Sequence, residues 1–365
     1  MNVTSVQDLY GPTHTGARRV LLRLMLVGAL LVTAAALAGV LLLPTETPAD
    51  EEPLPVRGVS RLVYPATLVS QIAAPADRPW VLPAAAVPLN GATYVIDTGD
   101  GRVLKLDSSG RVLATFDSTT DPRLILKQPM AMATDGSRLF IANSLASEVV
   151  VLDPASGRVE QVLTLKALTG REKAPRPIGI ALLPQGRIAV SDADNHRVLI
   201  LDAGGKVINT IGTGNRAGGS DGFNVPAALA VDKAGSLYVV DTLNGRVAKF
   251  AQDGSFISQI GEPGDTAGTL ARPKGVAVDS AGRVFVSDGL SAAVQVFSPD
   301  GAYLGVIGRV DPTDPVSDSL FRAPAGLWLD GDRLYVADRI AGLVTLRLTG
   351  PSRAEIPSGS GEKGR

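Results

Sequence analysis

From about residue 62 onward, apolar positions alternate or run unbroken for about five residues and then give way to Gly, Asp or Asn. Residues 228–261, ALAVDKAGSLYVVDTLNGRVAKFAQDGSFISQIG, divide into four short strands, with turns at Ala234-Gly235 and Asp253-Gly254. Such short runs leave no room for long helices. The same arrangement recurs along the chain. Asp97, Asn143, Asp192, Asp241, Asp288 and Asp338 close equivalent strands at spacings of 46, 49, 49, 47 and 50 residues. Gly91, Gly136, Gly186, Gly235, Gly282 and Gly331 keep that beat, as do Pro83, Pro129, Pro177, Pro226, Pro273 and Pro324. Three independent markers at one period identify a repeat of six units.

A four-stranded unit of this size cannot bury both its faces alone, and stacking the units around an axis buries them. The pattern therefore predicts an all-β, six-bladed β-propeller. The sixth unit supplies only three strands before a polar tail, which would leave an open sheet edge. The segment Leu68-Val-Ser-Gln-Ile-Ala73 matches Phe256-Ile-Ser-Gln-Ile-Gly261, a fourth strand, without three strands before it. Residues 68–73 are thus expected to complete the last blade and close the ring.

The units resemble NHL-repeat β-propellers. The pattern of a proline, a GIAVD-like strand, an IYVAD-like strand, an Asn-His/Gly-Arg-Val turn and a closing Gly is met by PIGIALLPQGRIAVSDADNHRVLIL and PKGVAVDSAGRVFVSD. The resemblance spans about residues 62–349 and is strongest in units three to five. Unit two, LFIANSLASEVVVLDPASGRV, is closer to the YVTN variety, and units one and six depart from the Asn-His/Gly-Arg turn.

The N-terminus reads differently. Arg18, Arg19 and Arg23 precede an uncharged run, residues 24–43, which as a helix spans roughly 30 Å, the thickness of a bilayer's hydrocarbon core. Glu46, Asp50, Glu51 and Glu52 follow it, so the charge pattern puts residues 1–19 in the cytoplasm and the propeller on the extracytoplasmic side. The apolar run is longer than a cleaved signal peptide needs, which favours an uncleaved signal-anchor over residues 20–43, although Ala34–Ala38 offers small residues of the kind cleavage uses. Residues 44–58 form a Pro/Glu-rich linker, 59–349 the propeller, and 350–365 a polar tail expected to be disordered.

Composition narrows the chemistry. A net charge of -1 gives no reason to expect nucleic acid as partner. The absence of cysteine and the presence of only two histidines, His14 and His196, argue against a zinc site of the kind built from Cys and His. The polar knot around Asp192 recurs in every unit, so Asp97, Asn143, Asp192, Asp241, Asp288 and Asp338 are assigned to architecture, each accepting backbone N–H groups in the following turn. Arg102, Arg197 and Arg246 are expected to bridge neighbouring blades. Oxygen ligands alone could hold calcium, as in gluconolactonase-like propellers, but the first strands carry mostly Ala, Gly, Met and Val. Neither a metal nor another cofactor is therefore expected, and no catalytic residue is assigned.

What varies between units is the loop entering each first strand, for example 212–225 and 308–323, and insertions on one face of a repeat array mark the binding side. Lys127, Arg176, Arg272, Lys274 and Arg322 flank the unit-opening prolines and, with those prolines ringing the channel, are expected to form a broken basic collar about its mouth, suited to an anionic ligand. The competing reading solvates these residues or pairs them with Asp221, Asp265 or Asp318. The expected function is a noncatalytic, membrane-tethered binding or scaffold propeller recognising a peptide, a protein or an anionic cell-envelope polymer. The alternative is a hydrolase or lyase with a calcium-type channel metal.

Overall fold

The structure is a computed structural model that describes residues 63–74, 79–168, 170, 172–308 and 319–350. Its strands form six four-stranded antiparallel sheets. Blade one holds β2 (Pro83–Leu89), β3 (Ala92–Asp97), β4 (Arg102–Leu106) and β5 (Val112–Phe116). Blade two holds β6 (Pro129–Thr134), β7 (Leu139–Asn143), β8 (Glu148–Leu152) and β9 (Val159–Thr164). Blade three comprises β10 (Pro177–Leu183), β11 (Arg187–Asp192), β12 (Arg197–Leu201) and β13 (Val207–Ile211). Blade four comprises β14 (Pro226–Val231), β15 (Leu237–Asp241), β16 (Arg246–Phe250) and β17 (Phe256–Ile260). Blade five is β18 (Pro273–Val278), β19 (Val284–Asp288), β20 (Ala293–Phe297) and β21 (Tyr303–Ile307). Blade six is β22 (Pro324–Asp330), β23 (Arg333–Asp338), β24 (Gly342–Leu348) and the N-terminal β1 (Ala66–Ile72).

Each first strand lies against the first strand of the next blade, and β22 returns to β2, so the ring is closed. The six expected blades are present. The apolar cores lie between blades rather than within them. Ile141 and Val150 of blade two pack with Tyr94 and Ile96 of blade one, and Tyr238 and Val247 of blade four pack with Val276 and Phe297 of blade five. The unbroken apolar runs of the second and third strands follow from this arrangement, because both sheet faces are covered.

β1 pairs antiparallel with β24, from Ala66 opposite Leu348 to Ile72 opposite Leu343, as the sequence match predicted. The strand begins at Ala66, two residues before the matched segment, and bulges between Leu68 and Ser70. Just upstream, Tyr64 is almost fully buried against blade five. Its backbone N–H donates to the Val306 carbonyl at 2.9 Å, its ring meets Phe285 edge-on at 5.9 Å, and its hydroxyl accepts from Arg283 Nη1 at 2.6 Å.

No helix among the described residues is long and apolar enough to cross a membrane. The expected anchor at 20–43, the linker at 44–58 and the tail from 351 lie outside the described residues.

Candidate functional site

In every blade the first strand starts where the second ends, as in the pairing of Pro177 with Asp192 and Pro273 with Asp288. One face of the ring therefore carries the unit-opening prolines, the turns after each second strand and the long entering loops. The six repeated Asp/Asn side chains are fully buried there. Each accepts the N–H of a residue just ahead of the proline: Val81 to Asp97 (2.6 Å), Lys127 to Asn143 (2.6 Å), Arg176 to Asp192 (3.0 Å), Asn224 to Asp241 (2.7 Å), Arg272 to Asp288 (2.9 Å) and Arg322 to Asp338 (2.8 Å). These positions are architectural, but the carboxylate reaches back to the entering loop. From the turn that follows, Asp288 and Asp338 accept backbone N–H groups, those of Leu290, Ser291, Ile340 and Ala341, whereas Asp192 and Asp241 accept the side-chain amides of Asn195 and Asn244.

The repeated arginines each bind on two sides. Arg102, Arg197 and Arg246 pair with Asp97, Asp192 and Asp241 of their own blades, at 2.8, 3.0 and 3.0 Å, and also reach the segment that enters the blade, donating to the Pro79 carbonyl, to Glu172 and to the Gly222 carbonyl at 3.3, 2.8 and 2.9 Å. The five-residue offset places the arginine directly opposite the aspartate across the hairpin, which makes the local bond short. Burial pushes the Asp97 and Asp241 carboxyls above their ordinary range, against the lowering pull of these arginines and of the backbone donors. Neighbouring blades are also tied by hydroxyls, as where Thr98 Oγ1 donates to the Pro129 carbonyl and Thr242 Oγ1 to that of Pro273.

The channel is lined by the first strands and holds two cavities that share Trp328. The one toward the far ends of these strands, about 200 Å³, is walled by Ile180, Leu182, Val231, Val278 and Leu329. The one toward the mouth, about 160 Å³, is lined by Ala84, Met130, Ile178 and Ala227, and there Lys274, Arg339 and Thr242 interrupt the apolar wall. Burial holds the Lys274 amine below its ordinary pKa, and the positive charges of Arg272 and Arg339 lower it further, against the raising effect of Asp288. Burial lowers Arg339 as well, with Arg272 adding to it, and the Arg339 Nε is buried without a partner. Lys274 and Arg339 thus line a largely apolar mouth, with Arg272 near enough to act on both.

The structure divides the expected collar. Arg272 acts there on Lys274. Arg176 is neutralised by Asp194 at 2.6 Å, and Lys127 and Arg322 are exposed, each tied to the ring by its backbone N–H. Arg339, absent from the sequence-based set, completes the cluster. Its signal was legible: the residue after the repeated Asp/Asn is Thr98, Ser144, Ala193, Thr242 or Gly289 in the other units, and only in unit six is it charged.

His196 is not a channel residue. It caps a one-turn 3-10 helix (Ala193–Asn195) in the left-handed conformation, and its Nδ1 accepts the Val225 N–H of the next blade at 3.1 Å.

Residues 91–312 match the profile described as SMP-30/Gluconolactonase/LRE-like region. The chain belongs to that family. Among solved structures, a gluconolactonase from Xanthomonas campestris is 19% identical, with 80% of this chain and 99% of that chain covered and a TM-score of 0.53. Virginiamycin B lyase from Staphylococcus aureus is 13% identical, with 77% and 97% covered and a TM-score of 0.53. A protein of unknown function from Bacteroides thetaiotaomicron reaches a TM-score of 0.59 at 16% identity, covering 78% and 76%. At these identities the likeness establishes the shared fold. No curated protein matches the chain.

The calcium associated with gluconolactonase-like propellers would require several oxygen ligands converging on the channel. This SMP-30/gluconolactonase-family chain does not fit that ion. No Asp, Glu or His lines either described channel cavity, and the strand-end carboxylates are occupied by backbone donors and arginines. Among the described residues no group of three His, Cys, Asp or Glu could hold a metal. Asp192 and Asp194, which imitate the start of a calcium loop, are bound to Arg197, Asn195 and Arg176.

Proposed function

We propose that the channel mouth is the working site of a hydrolase or lyase of the lactonase-like kind, acting on a small ester or lactone. The carbonyl or carboxylate would face Lys274, Arg272 and Arg339, and the apolar remainder would lie along the shaft toward Trp328. Membership of a family named for a gluconolactonase supports an enzyme over a scaffold. The observation that carries the reading for this chain is Lys274. It is partly buried, its pKa is lowered by burial and by two guanidinium groups, and it lines the mouth cavity beside Arg339.

An amine depressed in this way holds a larger neutral fraction and can take a proton. In the proposed step, a water molecule adds to the ester carbon while its proton passes to Lys274 Nζ. The negative charge that develops on the carbonyl oxygen meets the Arg339 guanidinium. Collapse breaks the acyl carbon–oxygen bond, and the proton returns from Lys274 to the leaving alkoxide. Arg272 would hold the product carboxylate.

The test is turnover of a panel of aliphatic esters and lactones by the full chain in the presence of a chelator. Hydrolysis that Lys274→Met abolishes supports the reading. Hydrolysis that requires a divalent cation and survives Lys274→Met overturns it.

A second reading is noncatalytic recognition of an anionic peptide, protein or cell-envelope polymer by the basic residues Lys127, Arg176, Arg272, Lys274 and Arg322. The absence of carboxylates and histidines from the lining of the described cavities favours it. Salt-sensitive carboxylate binding without turnover is its signature. We also keep as proposals the NHL-type reading of units three to five and the extracytoplasmic placement of the propeller behind a signal-anchor at 20–43. Protease protection in inverted vesicles tests that placement.

A further inference from the structure

The four most exposed large apolar side chains among the described residues are Ile340 (70%), Leu290 (67%), Leu145 (62%) and Leu243 (58%). They are not scattered. Each lies two residues after the buried Asp or Asn that ends a second strand, namely Asp338, Asp288, Asn143 and Asp241. They therefore occupy one repeat position at the tips of equivalent turns, all on the face that carries the channel mouth. In the two remaining units that position holds Gly99 and Asp194, and Asp194 is engaged by Arg176. Leu82 and Ile125, in the loops entering blades one and two, add exposed apolar surface to the same face.

The repeat makes this surface level. Equivalent turns of a closed ring stand at equal height, so the four tips meet a plane. They are single aliphatic side chains separated by polar loop residues and do not wall a groove that a peptide could fill. Exposed Lys127, Lys166, Lys173, Arg216, Arg272 and Arg322 lie in the loops between them. Among the described residues fewer exposed acidic side chains, Asp100, Asp221, Glu262 and Asp265, stand on the loops and turns of this face. A level array of aliphatic tips in a basic field complements a surface that is flat, apolar beneath and anionic above.

We infer that the mouth-bearing face of the propeller docks on an anionic lipid bilayer, with Leu145, Leu243, Leu290 and Ile340 entering the interface and the loop lysines and arginines meeting the headgroups. This inference does not depend on the channel chemistry, which is tested with soluble ligands and by turnover.

The N-terminal segment reads as a membrane anchor, so vesicle capture of the full chain says nothing about the propeller face, and local probes are required. The chain has no cysteine, which makes single labelling sites available. Leu290→Cys and Ile340→Cys would carry an environment-sensitive fluorophore in full-length protein reconstituted into phosphatidylcholine vesicles containing phosphatidylglycerol. Ala234→Cys, on the exposed turn of the opposite face, is the reference. The expected result is a blue-shifted emission at positions 290 and 340, quenched several-fold more by spin-labelled acyl chains than the label at 234. That difference should shrink in pure phosphatidylcholine and at high salt. Equal quenching at the two faces overturns the inference. So does a blue shift at 290 and 340 that rises with protein concentration and ignores lipid quencher, which would assign the tips to a second copy of the chain.

Discussion

His196 sits in the left-handed region at φ 48 and accepts the backbone N–H of Val225 through Nδ1, an arrangement that only the neutral ring can make. Burial holds its pKa below the ordinary value, and Arg216 and Lys173 push the same way against Asp194 and Asp241. The unfolded chain therefore binds the proton more readily than the folded one. Stability is complete above the unfolded pKa of about 6.5 and is lost as pH falls through that value toward the lower folded pKa. Denaturation midpoints measured across this range should show the step, and His196→Asn, which tolerates the left-handed turn, should flatten it. A His196→Asn profile identical to that of the parent would assign the acid sensitivity elsewhere. The sequence alone disclosed that the residues around Asp192 are repeated and hence architectural. It could not disclose that Asp192 reaches the Arg176 N–H across 16 residues, or that His196 serves the next blade, because neither bond falls within one local motif.

At the scale of elements, strand number, order and closure were all legible. Alternation gave the strands, three markers gave the period, and the likeness of residues 68–73 to 256–261 gave the clasp. Hidden from that reading was what fastens the clasp. The side chains of β1 are largely exposed, whereas Tyr64, before the strand begins, is 2% exposed and bonds Arg283, 219 residues away. No local pattern reports a contact of that range. Removing a buried aromatic side chain costs about 3–5 kcal/mol, far more than trimming an exposed strand residue. Tyr64→Ala should therefore lower the urea midpoint much further than Leu68→Ala. Tyr64→Phe, which keeps the packing on Phe285 and loses the hydrogen bond to a charged donor, should fall between them, at about 1.5–3 kcal/mol. If Leu68→Ala equals Tyr64→Ala, the blade is held by strand pairing alone.

For the molecule as a whole, ring closure turns six separate loops into one mouth, and it decides which charges act together. The basic residues flanking the prolines made a broken collar around the mouth the expectation. Side-chain pairing gathers the charge further to one side, because Asp194 engages Arg176, while Arg339 joins Arg272 and Lys274 on the side of blades five and six. Anion affinity at the mouth should follow the charge of Lys274. The amine is charged below its folded pKa, which burial and the neighbouring guanidiniums hold under the ordinary lysine value of about 10.4. Affinity for a short-chain carboxylate, measured by titration calorimetry toward alkaline pH, should accordingly decline as pH rises through that lowered pKa. Lys274→Arg, which stays charged, should remove the decline. Arg339→Ala should weaken binding at every pH, yet move the decline to higher pH, because it removes one of the two positive charges that lower Lys274. That opposite pair of effects, weaker binding with a later decline, separates a guanidinium acting on the amine from one that merely props up the fold.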